Sequence, residues 1–563
     1  MNRAERRRKE RLMAKAGVNS KTLAVKHLFD EAVAHHRGGR FQQAEQLYRQ
    51  ILEGHPTHAD ALHLLGLVAY QGLEYDRARD LIGQAIQQDG KKALYHYNLG
   101  LACEKAGQLD EAVRAYQQGL QLKSNYVEAH SNLGTVYREQ GDLKSAVLAF
   151  ERAVAIKPDY AGGYNNLGVV FKEQGDLDRA IGAYQQALRL NPRNAESHYN
   201  LGMVYLGREQ SEEATAAFRQ AIDINPEYAK AHHNLGLALL WQDQRDEALL
   251  QFRKSADLSL DHGRSVNMSY VYPSRIKHDL EQLEYLCHQG IAMPIPEGYS
   301  ETLRVLQGQV VSSQEANQPI AVSPSQAKAL APSFNRILHY ADNPILPEGA
   351  LNPNLDREDI QRRYQASNPE IIFIDDLLRD DAVKSLHRFC LESTIWKKDY
   401  VEGYIGAFLN EGFSSPLLLQ VAEELREQFP GIFHHHQLLQ AWAFKQDSQR
   451  RPLNIHADAA AVNVNFWITP NEANLDLTCG GLTVWDKEAP KDWDFKDYNR
   501  RENTPKIMEF LRSSGASPVT VPYRENRALI FNSDLFHESD RCFFRDGYDS
   551  RRINITFLYG HRA

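Results

Sequence analysis

A glycine recurs every 34 residues through the first half of the chain. Gly100, Gly134, Gly168, Gly202 and Gly236 keep this spacing. Ala112, Ala146, Ala180, Ala214 and Ala248 keep it too, as do the aromatic residues Tyr116, Phe150, Tyr184, Phe218 and Phe252. Pro158, Pro192 and Pro226 close three of the units. Carried towards the N-terminus, the frame meets Gly66, Ala78 and Ala85, then Ala32, Ala44, Tyr48 and Pro56. Seven units then tile residues 25 to 262 without a gap. Self-similarity at this period marks an architecture in which no unit buries its apolar face alone and neighbours must stack.

Segments such as YNLGLACEKAGQLDEAVRAYQQGL and SNLGTVYREQGDLKSAVLAFERAV resemble the tetratricopeptide repeat. The resemblance implies helix pairs stacked into a superhelix with a concave groove. At about 100° per residue, repeat positions 4, 7, 8 and 11 form one arc, which packs on the second helix of the unit. Position 6 lies about 150° from the centre of that arc and points to the concave side. It is Asn98, Asn132, Asn166, Asn200 and Asn234, with Asp30 and Leu64 in the first two units. An apolar row at position 9 runs beside it: Leu67, Leu101, Val169, Met203 and Leu237, interrupted by Thr135. The asparagine row resembles the ladder in O-linked N-acetylglucosamine transferases that holds a substrate peptide's backbone. An amide offers donors and an acceptor and can pair with both groups of a peptide unit. The same residues could instead satisfy hydrogen bonds between neighbouring repeats, and both readings stand at this point.

The chain has 563 residues, three or four domains' worth of sequence, and an ordinary globular composition of 42% hydrophobic and 25% charged residues. Its net charge of −8 disfavours general nucleic-acid binding, which needs clustered Lys and Arg. No apolar run is long enough to span a membrane. The opening MNRAERRRKERLMAKAG is basic without an apolar stretch behind it, so it is not read as a secretory signal but as a solvated tail over residues 1–24. The five cysteines are scattered without zinc-like spacing. These points predict a cytoplasmic protein without disulfides.

After residue 262 the repeat frame fails. RIKHDLEQLEYLCHQ (275–289) reads as a helix capping the last repeat, and residues 263–365 as a connector. From residue 366 the pattern changes. EIIFIDDLL reads as a strand and turn, and RDDAVKSLHRFCLES and PLLLQVAEELREQF as helices. LLQAWAFK, VNVNFWIT, LTVWD, SPVTVPY, RALIF and RINITFLYG read as strands. The fold class is therefore multidomain: an all-α repeat array, then an α+β domain built on a sheet sandwich or barrel.

Three stretches of this domain carry ligand-type residues. LNIHADAA holds His456 and Asp458, which share a face if the segment is extended. ALIFNSDLFHESD places His537 just after an apolar strand, and SRRINITFLYG opens the last strand with Arg551 and Arg552. Two His and a carboxylate make the facial triad of non-haem Fe(II) oxygenases, and a guanidinium fork suits a dicarboxylate. Together with GGLTVW and the NRALIFNSDLFH run, these stretches resemble the 2-oxoglutarate- and Fe(II)-dependent dioxygenases over about residues 366 to 563. The resemblance implies a double-stranded β-helix (jelly-roll) core and an activity in which O2 and 2-oxoglutarate yield succinate, carbon dioxide and a hydroxylated product. It implies His456, Asp458 and His537 as iron ligands and catalytic centre. Arg552 would anchor the co-substrate, with Asn554 beside it. Arg551 is the rival, but RxNxT puts Arg552, Asn554 and Thr556 on one face of the strand and the mostly apolar Arg551, Ile553, Ile555 and Phe557 on the other. Many relatives carry a Tyr on the strand before HxD; QAWAFKQDSQ has none.

His434, His435 and His436 read as structural, because sequence neighbours rarely converge on one metal. Gly480–Gly481 reads as a tight bend before a strand. The stretch from Asp486 to Pro518 is too long for an ordinary strand connection. With Trp493, Phe495 and Tyr498 among charges it reads either as a substrate-facing lid or as a packed surface helix. The expected function is hydroxylation of a protein or peptide side chain delivered by the repeat groove. The competing readings are a small-molecule substrate with repeats that recruit a partner, and a non-catalytic adaptor.

Overall fold

A computed structural model describes residues 24–561 apart from 260–268, 313–317, 401, 434–435, 447–454, 492 and 494–497. The basic tail up to residue 23, His434, His435 and Phe495 lie outside the described residues. The chain forms two compact units, Met1–Val204 and Tyr205–Ala563. Among the described residues no helix is long and apolar enough to cross a membrane. All five cysteines are free thiols.

The first unit is a run of helix pairs. Residues 24–37 pair with Phe41–Gly54, Ala59–Gln71 with Tyr75–Gln88, and Ala93–Lys105 with Leu109–Leu122. Val127–Glu139 then pairs with Leu143–Ile156 and Ala161–Glu173 with Leu177–Leu190, and the division falls inside the next helix, Ala195–Gly207. The 34-residue period has a steric cause. A Cβ on Gly100 would lie 2.5 Å from the Tyr116 ring, one on Gly134 2.9 Å from Phe150, and one on Gly168 2.6 Å from Tyr184. Each glycine lets the aromatic residue of its partner helix lie against the backbone. Ala112, Ala146 and Ala180 are fully buried where the helices cross. Asp142 and Asp176 cap the second helices by accepting from the Ser145 and Arg179 amides at 3.1 and 3.2 Å.

The second unit begins with the same motif. Ser211–Ile224 is followed by the seventh pair, Ala229–Leu240 and Arg245–Ser259, in which Gly236 again receives an aromatic residue, Phe252. The all-α repeat region therefore occupies residues 24–259. The connector beyond it is folded. Strands β1 (Tyr270–Val271) and β2 (Ile320–Ala321) pair, and helices Pro273–His288, Tyr299–Ser312 and Pro324–Leu330 enclose a core of Ile276, Leu280, Leu303 and Leu306.

The remainder carries two antiparallel sheets. Its strands are β3 (Ile371–Ile374), β4 (Lys398–Asp399), β5 (Tyr404–Phe408), β6 (Leu438–Gln446) and β7 (Val462–Trp467). They continue with β8 (Leu482–Glu488), β9 (Pro518–Val521), β10 (Ala528–Asn532), β11 (Leu535–Ser539) and β12 (Arg552–Tyr559). The larger sheet has the order β3-β10-β7-β12-β6-β5-β4 and the smaller β11-β8-β9. Trp467, Leu529 and Phe531 of the larger sheet share an apolar core with Leu482, Val484, Val521 and Leu535 of the smaller. Helices cover the other face of the larger sheet: Tyr559 donates to the Ala422 carbonyl of helix Pro416–Gln428, and Lys445 to the Cys390 carbonyl of helix Asp380–Glu392.

Three strands of the two sheets escape the pattern reading. Two are the short β4 and β5. The third is β11, so His537 lies within a strand of the smaller sheet rather than just after an apolar one. The turn at Ser533–Asp534 separates β10 from β11, just beyond the RALIF strand of the sequence reading. The helix read as a cap on the last repeat makes side-chain bonds to the sheet domain: Gln282 donates to the carbonyls of Leu391 and Ser393 at 3.1 and 3.0 Å. The seventh repeat is joined to the same domain. The Trp241 indole donates to the Leu438 carbonyl at 3.0 Å, and Arg245 pairs with Glu423.

Candidate functional site

His456 and His537 are brought together by backbone pairing. The His456 amide donates to the His537 carbonyl at 3.0 Å and the His537 amide donates back at 2.8 Å, which sets the ring centroids 4.4 Å apart. The Asp458 amide donates to the Ser533 carbonyl, holding the next turn of chain against the start of β11. The Asp458 carboxylate then lies 3.9 Å from His456 Nε2 and 3.4 Å from His537 Nε2. The three potential ligand atoms lie within 4.8 Å of one another, the one such cluster of His, Cys, Asp or Glu among the described residues.

The surroundings fit a metal. His537 Nδ1 bonds the Leu535 carbonyl at 3.0 Å, which selects the tautomer whose Nε2 lone pair faces the cluster. Phe531 packs edge-on to the same ring. Burial raises the Asp458 pKa, but the hydrogen bond and charge of His537 and the charge of His456, in their protonated forms, together with the Asn463 amide outweigh it and hold the group below the ordinary carboxylate value; a metal ion would take the place of those protons. Two imidazole nitrogens and one ionised carboxylate suit Fe(II) with open positions.

A buried hydrogen-bond chain runs from this cluster across the larger sheet. Asn463 donates to Asp458 Oδ2 at 2.7 Å, and Asn465 donates to Asn463 Oδ1 at 2.5 Å. Asn465 Oδ1 then accepts from Asn554 Nδ2 and from Thr556 Oγ1, each at 2.8 Å. The chain uses alternate residues of β7 and β12, so Asn554 and Thr556 lie on the face that carries Asp458's partners.

Arg552 opens that same face. It is 1% exposed, and its Nε donates to the Gly480 carbonyl at 2.6 Å and Nη2 to the Gly481 carbonyl at 3.0 Å. Nη1 donates to Gln446 Oε1 at 3.3 Å. These bonds use three of the guanidinium's five N–H donors and leave one on each terminal nitrogen, the pair that meets a carboxylate end-on. No carboxylate neutralises Arg552 among the described residues, and burial depresses its pKa. A buried charge without a counterion is costly, so the site fits an anion supplied from outside the chain. Arg551, on the opposite face, pairs with Glu281.

The Gly480–Gly481 bend read from sequence does more than turn the chain. Gly480 has φ +86°, and a Cβ on Gly481 would strike the Val521 carbonyl. Both glycines are needed for their carbonyls to reach Arg552. Gln446, Asn463, Asn465 and Trp467 are site residues that the sequence reading did not single out. The signal was the alternation in VNVNFW, which puts Asn463, Asn465 and Trp467 on one face.

The insertion between β8 and β9 packs on the metal cluster's supports. Tyr498, Ile507 and Leu511 share a core with Ile455, Ala457 and Phe536, the residues flanking His456 and His537. Asn499 donates to the Ala457 carbonyl at 2.7 Å. Helix Thr504–Ser513 is the packed surface helix of the second sequence reading, and the Trp493 ring packs at a tilt against its Phe510.

The position-6 asparagines are half-buried or buried, and most direct their amide nitrogen at protein. Asn98 bonds His63 at 2.7 Å, Asn132 bonds Tyr97 at 3.2 Å, and Asn200 approaches Asn165 at 3.5 Å, each a residue of the preceding repeat. Asn234 donates within its own helix to the Lys230 carbonyl. Asn166 is half-buried. Three of the five asparagines therefore bond to the preceding repeat.

A family model described as TPR repeat matches residues 105–137, 134–175, 170–208 and 204–243, and one described as anaphase-promoting complex, cyclosome, subunit 3 matches residues 38–119. The chain is similar to the solved structure of MamA at 29% identity, over 30% of this chain and 93% of that one, with a TM-score of 0.29. It is similar to MamA from Desulfovibrio magneticus RS-1 at 25% identity, over 30% and 97%, with a TM-score of 0.29. It is similar to YrrB, a TPR protein with an unusual peptide-binding site, at 25% identity, over 32% and 93%, with a TM-score of 0.28. No curated protein matches the chain. The N-terminal region thus consists of tetratricopeptide repeats, a motif that points to protein–protein interaction.

Proposed function

We propose that this chain is a 2-oxoglutarate- and Fe(II)-dependent oxygenase that hydroxylates a side chain of a protein or peptide held by its repeats. The observation that carries the reading is a two-His, one-Asp cluster joined by buried hydrogen bonds to the strand that bears an un-neutralised arginine. His456, Asp458 and His537 would hold the iron, and Arg552 the distal carboxylate of 2-oxoglutarate. Iron and keto-acid, when bound, supply the oxygen-activating chemistry. The chain's own residues orient and exclude: the Leu535 carbonyl fixes the His537 ring, Asn463 steers Asp458, and Phe531 shields the imidazole. The two facing sheets are read as a double-stranded β-helix core. The repeats bind the substrate protein, and the chain works in the cytoplasm.

Conversion of 2-oxoglutarate to succinate, dependent on Fe(II) and lost in His456→Ala, tests the activity. Wild-type protein that forms no succinate and binds neither Mn(II) nor 2-oxoglutarate would leave the adaptor reading. Mass spectrometry of proteins and metabolites retained by His456→Ala separates a protein substrate from a small molecule.

A further inference from the structure

The interior around Arg552 holds more unmet polar groups than the guanidinium alone. Gln446 is 2% exposed; its Oε1 accepts from Arg552, while its Nε2 has no hydrogen-bond partner among the described residues. Trp467 is fully buried and its indole N–H also has no partner. Register places them on either side of Arg552's strand. Gln446 on β6 is directly opposite Arg552, and Trp467 on β7 is opposite Asn554, two residues further along the same face. The Arg552 guanidinium lies 5.9 Å from the centre of the Trp467 ring.

Burying an unpaired N–H is unfavourable, and buried polar groups in folded proteins are nearly always satisfied. Here an amide N–H2, an indole N–H and two guanidinium N–H groups lie in one neighbourhood without a partner among the described residues, beside one unpaired acceptor on the same face, Asn554 Oδ1. Donors outnumber acceptors around one cationic group, which favours a partner that only accepts. A carboxylate has two oxygens with about four acceptor positions, whereas a water would bring hydrogens of its own.

We propose that Gln446 and Trp467 are co-substrate-binding residues, donating from Nε2 and Nε1 to the same carboxylate that Arg552 holds. This rests on the oxygenase reading above. The carboxylate is recognised by three side chains from three adjacent strands, with the Gly480 and Gly481 carbonyls holding the guanidinium in the plane the anion meets.

The test is anaerobic calorimetric titration of the Mn(II)-loaded full-length protein with 2-oxoglutarate, with Mn(II) affinity measured beside it. Gln446→Leu and Trp467→Phe should each weaken 2-oxoglutarate binding by roughly ten- to a hundredfold and leave Mn(II) binding unchanged. Gln446→Glu should weaken it further, because the new carboxylate occupies the guanidinium. The effect should be confined to the distal carboxylate: 2-oxopentanoate, which lacks it, should bind wild type and variants alike. Gln446→Met, close in volume and flexible, stands in if the leucine variant loses Mn(II) binding. Wild type that does not bind 2-oxoglutarate would remove the oxygenase reading itself. Wild type that binds, with Trp467→Phe and a folded Gln446 variant both within twofold of it, would overturn this inference and leave that reading intact.

Discussion

Arg551 and Arg552 are consecutive in the chain, yet Arg551 pairs with Glu281 of helix Pro273–His288 while Arg552 donates to the Gly480 and Gly481 carbonyls and meets no acid among the described residues. One peptide unit separates a structural ion pair from a buried charge with no acidic partner among the described residues. Alternation along a strand is the cause, since successive side chains leave opposite faces.

Removing Arg552 should therefore act on binding. Breaking a buried charge pair costs roughly 3–5 kcal/mol. At about 1.4 kcal/mol per decade, Arg552→Ala weakens 2-oxoglutarate binding by roughly two to three and a half decades. Arg551→Ala should lower the melting temperature and leave that affinity nearly unchanged. Calorimetric titration and thermal melting of both variants read the two effects, and a reversed order would show that the strand register is wrong.

Asn463 should act on the metal without touching it. Its amide fixes Asp458 Oδ2, and loss of such outer partners lowers metal affinity by roughly 10- to 100-fold. Asn463→Ala is expected to bind Mn(II) more weakly by that factor. Competition with a chelator of known affinity measures it; unchanged affinity would mean that the buried amide chain only packs the sheet.

Trimming the insertion should now be felt at the same place. Tyr498 and Asn499 brace Ile455 and Ala457, so Asn499→Ala leaves the Ala457 carbonyl unpaired at a cost of about 1–3 kcal/mol. Deleting residues 490–503 should weaken Mn(II) binding as well as substrate oxidation. A deletion that lowers substrate oxidation alone would restore the simple lid.

The repeats carry a pH dependence. Burial pulls the His63 pKa down to about 4, and Asn98 donates to its Nε2, which only the neutral ring accepts. The folded state refuses a proton that the unfolded chain takes at about pH 6.5. His63 thus contributes stability that is complete above about pH 6.5 and is lost as pH falls towards about 4. Burial of His233, also pulled down to about 4, adds in the same direction. Thermal melts followed by helical circular dichroism should show the loss, and His63→Gln, which keeps an acceptor for Asn98, should reduce it. Asn98→Ala should destabilise the repeats. Replacing Asn132, Asn166 and Asn200 together by Ala should weaken capture of a protein substrate and lower its oxidation, with uncoupled 2-oxoglutarate turnover intact.

The repeats were legible because their cause is local. A glycine at one position and an aromatic residue sixteen further on must touch, so Gly100, Gly134, Gly168 and Gly236 repeat the pair at the same separation. The residues of the metal cluster were legible for a related reason, since few residue types bind metals and they stood in conspicuous company. Gln446 and Trp467 were not. The alternation in VNVNFW gives Trp467 its face, but the role of both residues depends on which strands lie either side of β12, and cross-strand neighbours are settled by register. The strand that carries His537 was missed because the reading ended at RALIF, and LFHES beyond the turn, short and half polar, gives no apolar pattern of its own.

The seventh repeat is fastened to the sheet domain by Trp241 and Arg245, side chains that answer a particular carbonyl and a particular carboxylate. Loss of that repeat would leave the Leu438 carbonyl and the Glu423 carboxylate without these donors. The last repeat therefore answers to two neighbours at once, the repeat before it and the sheet domain, so a substitution at Trp241 or Arg245 is felt in a domain that carries no repeat at all.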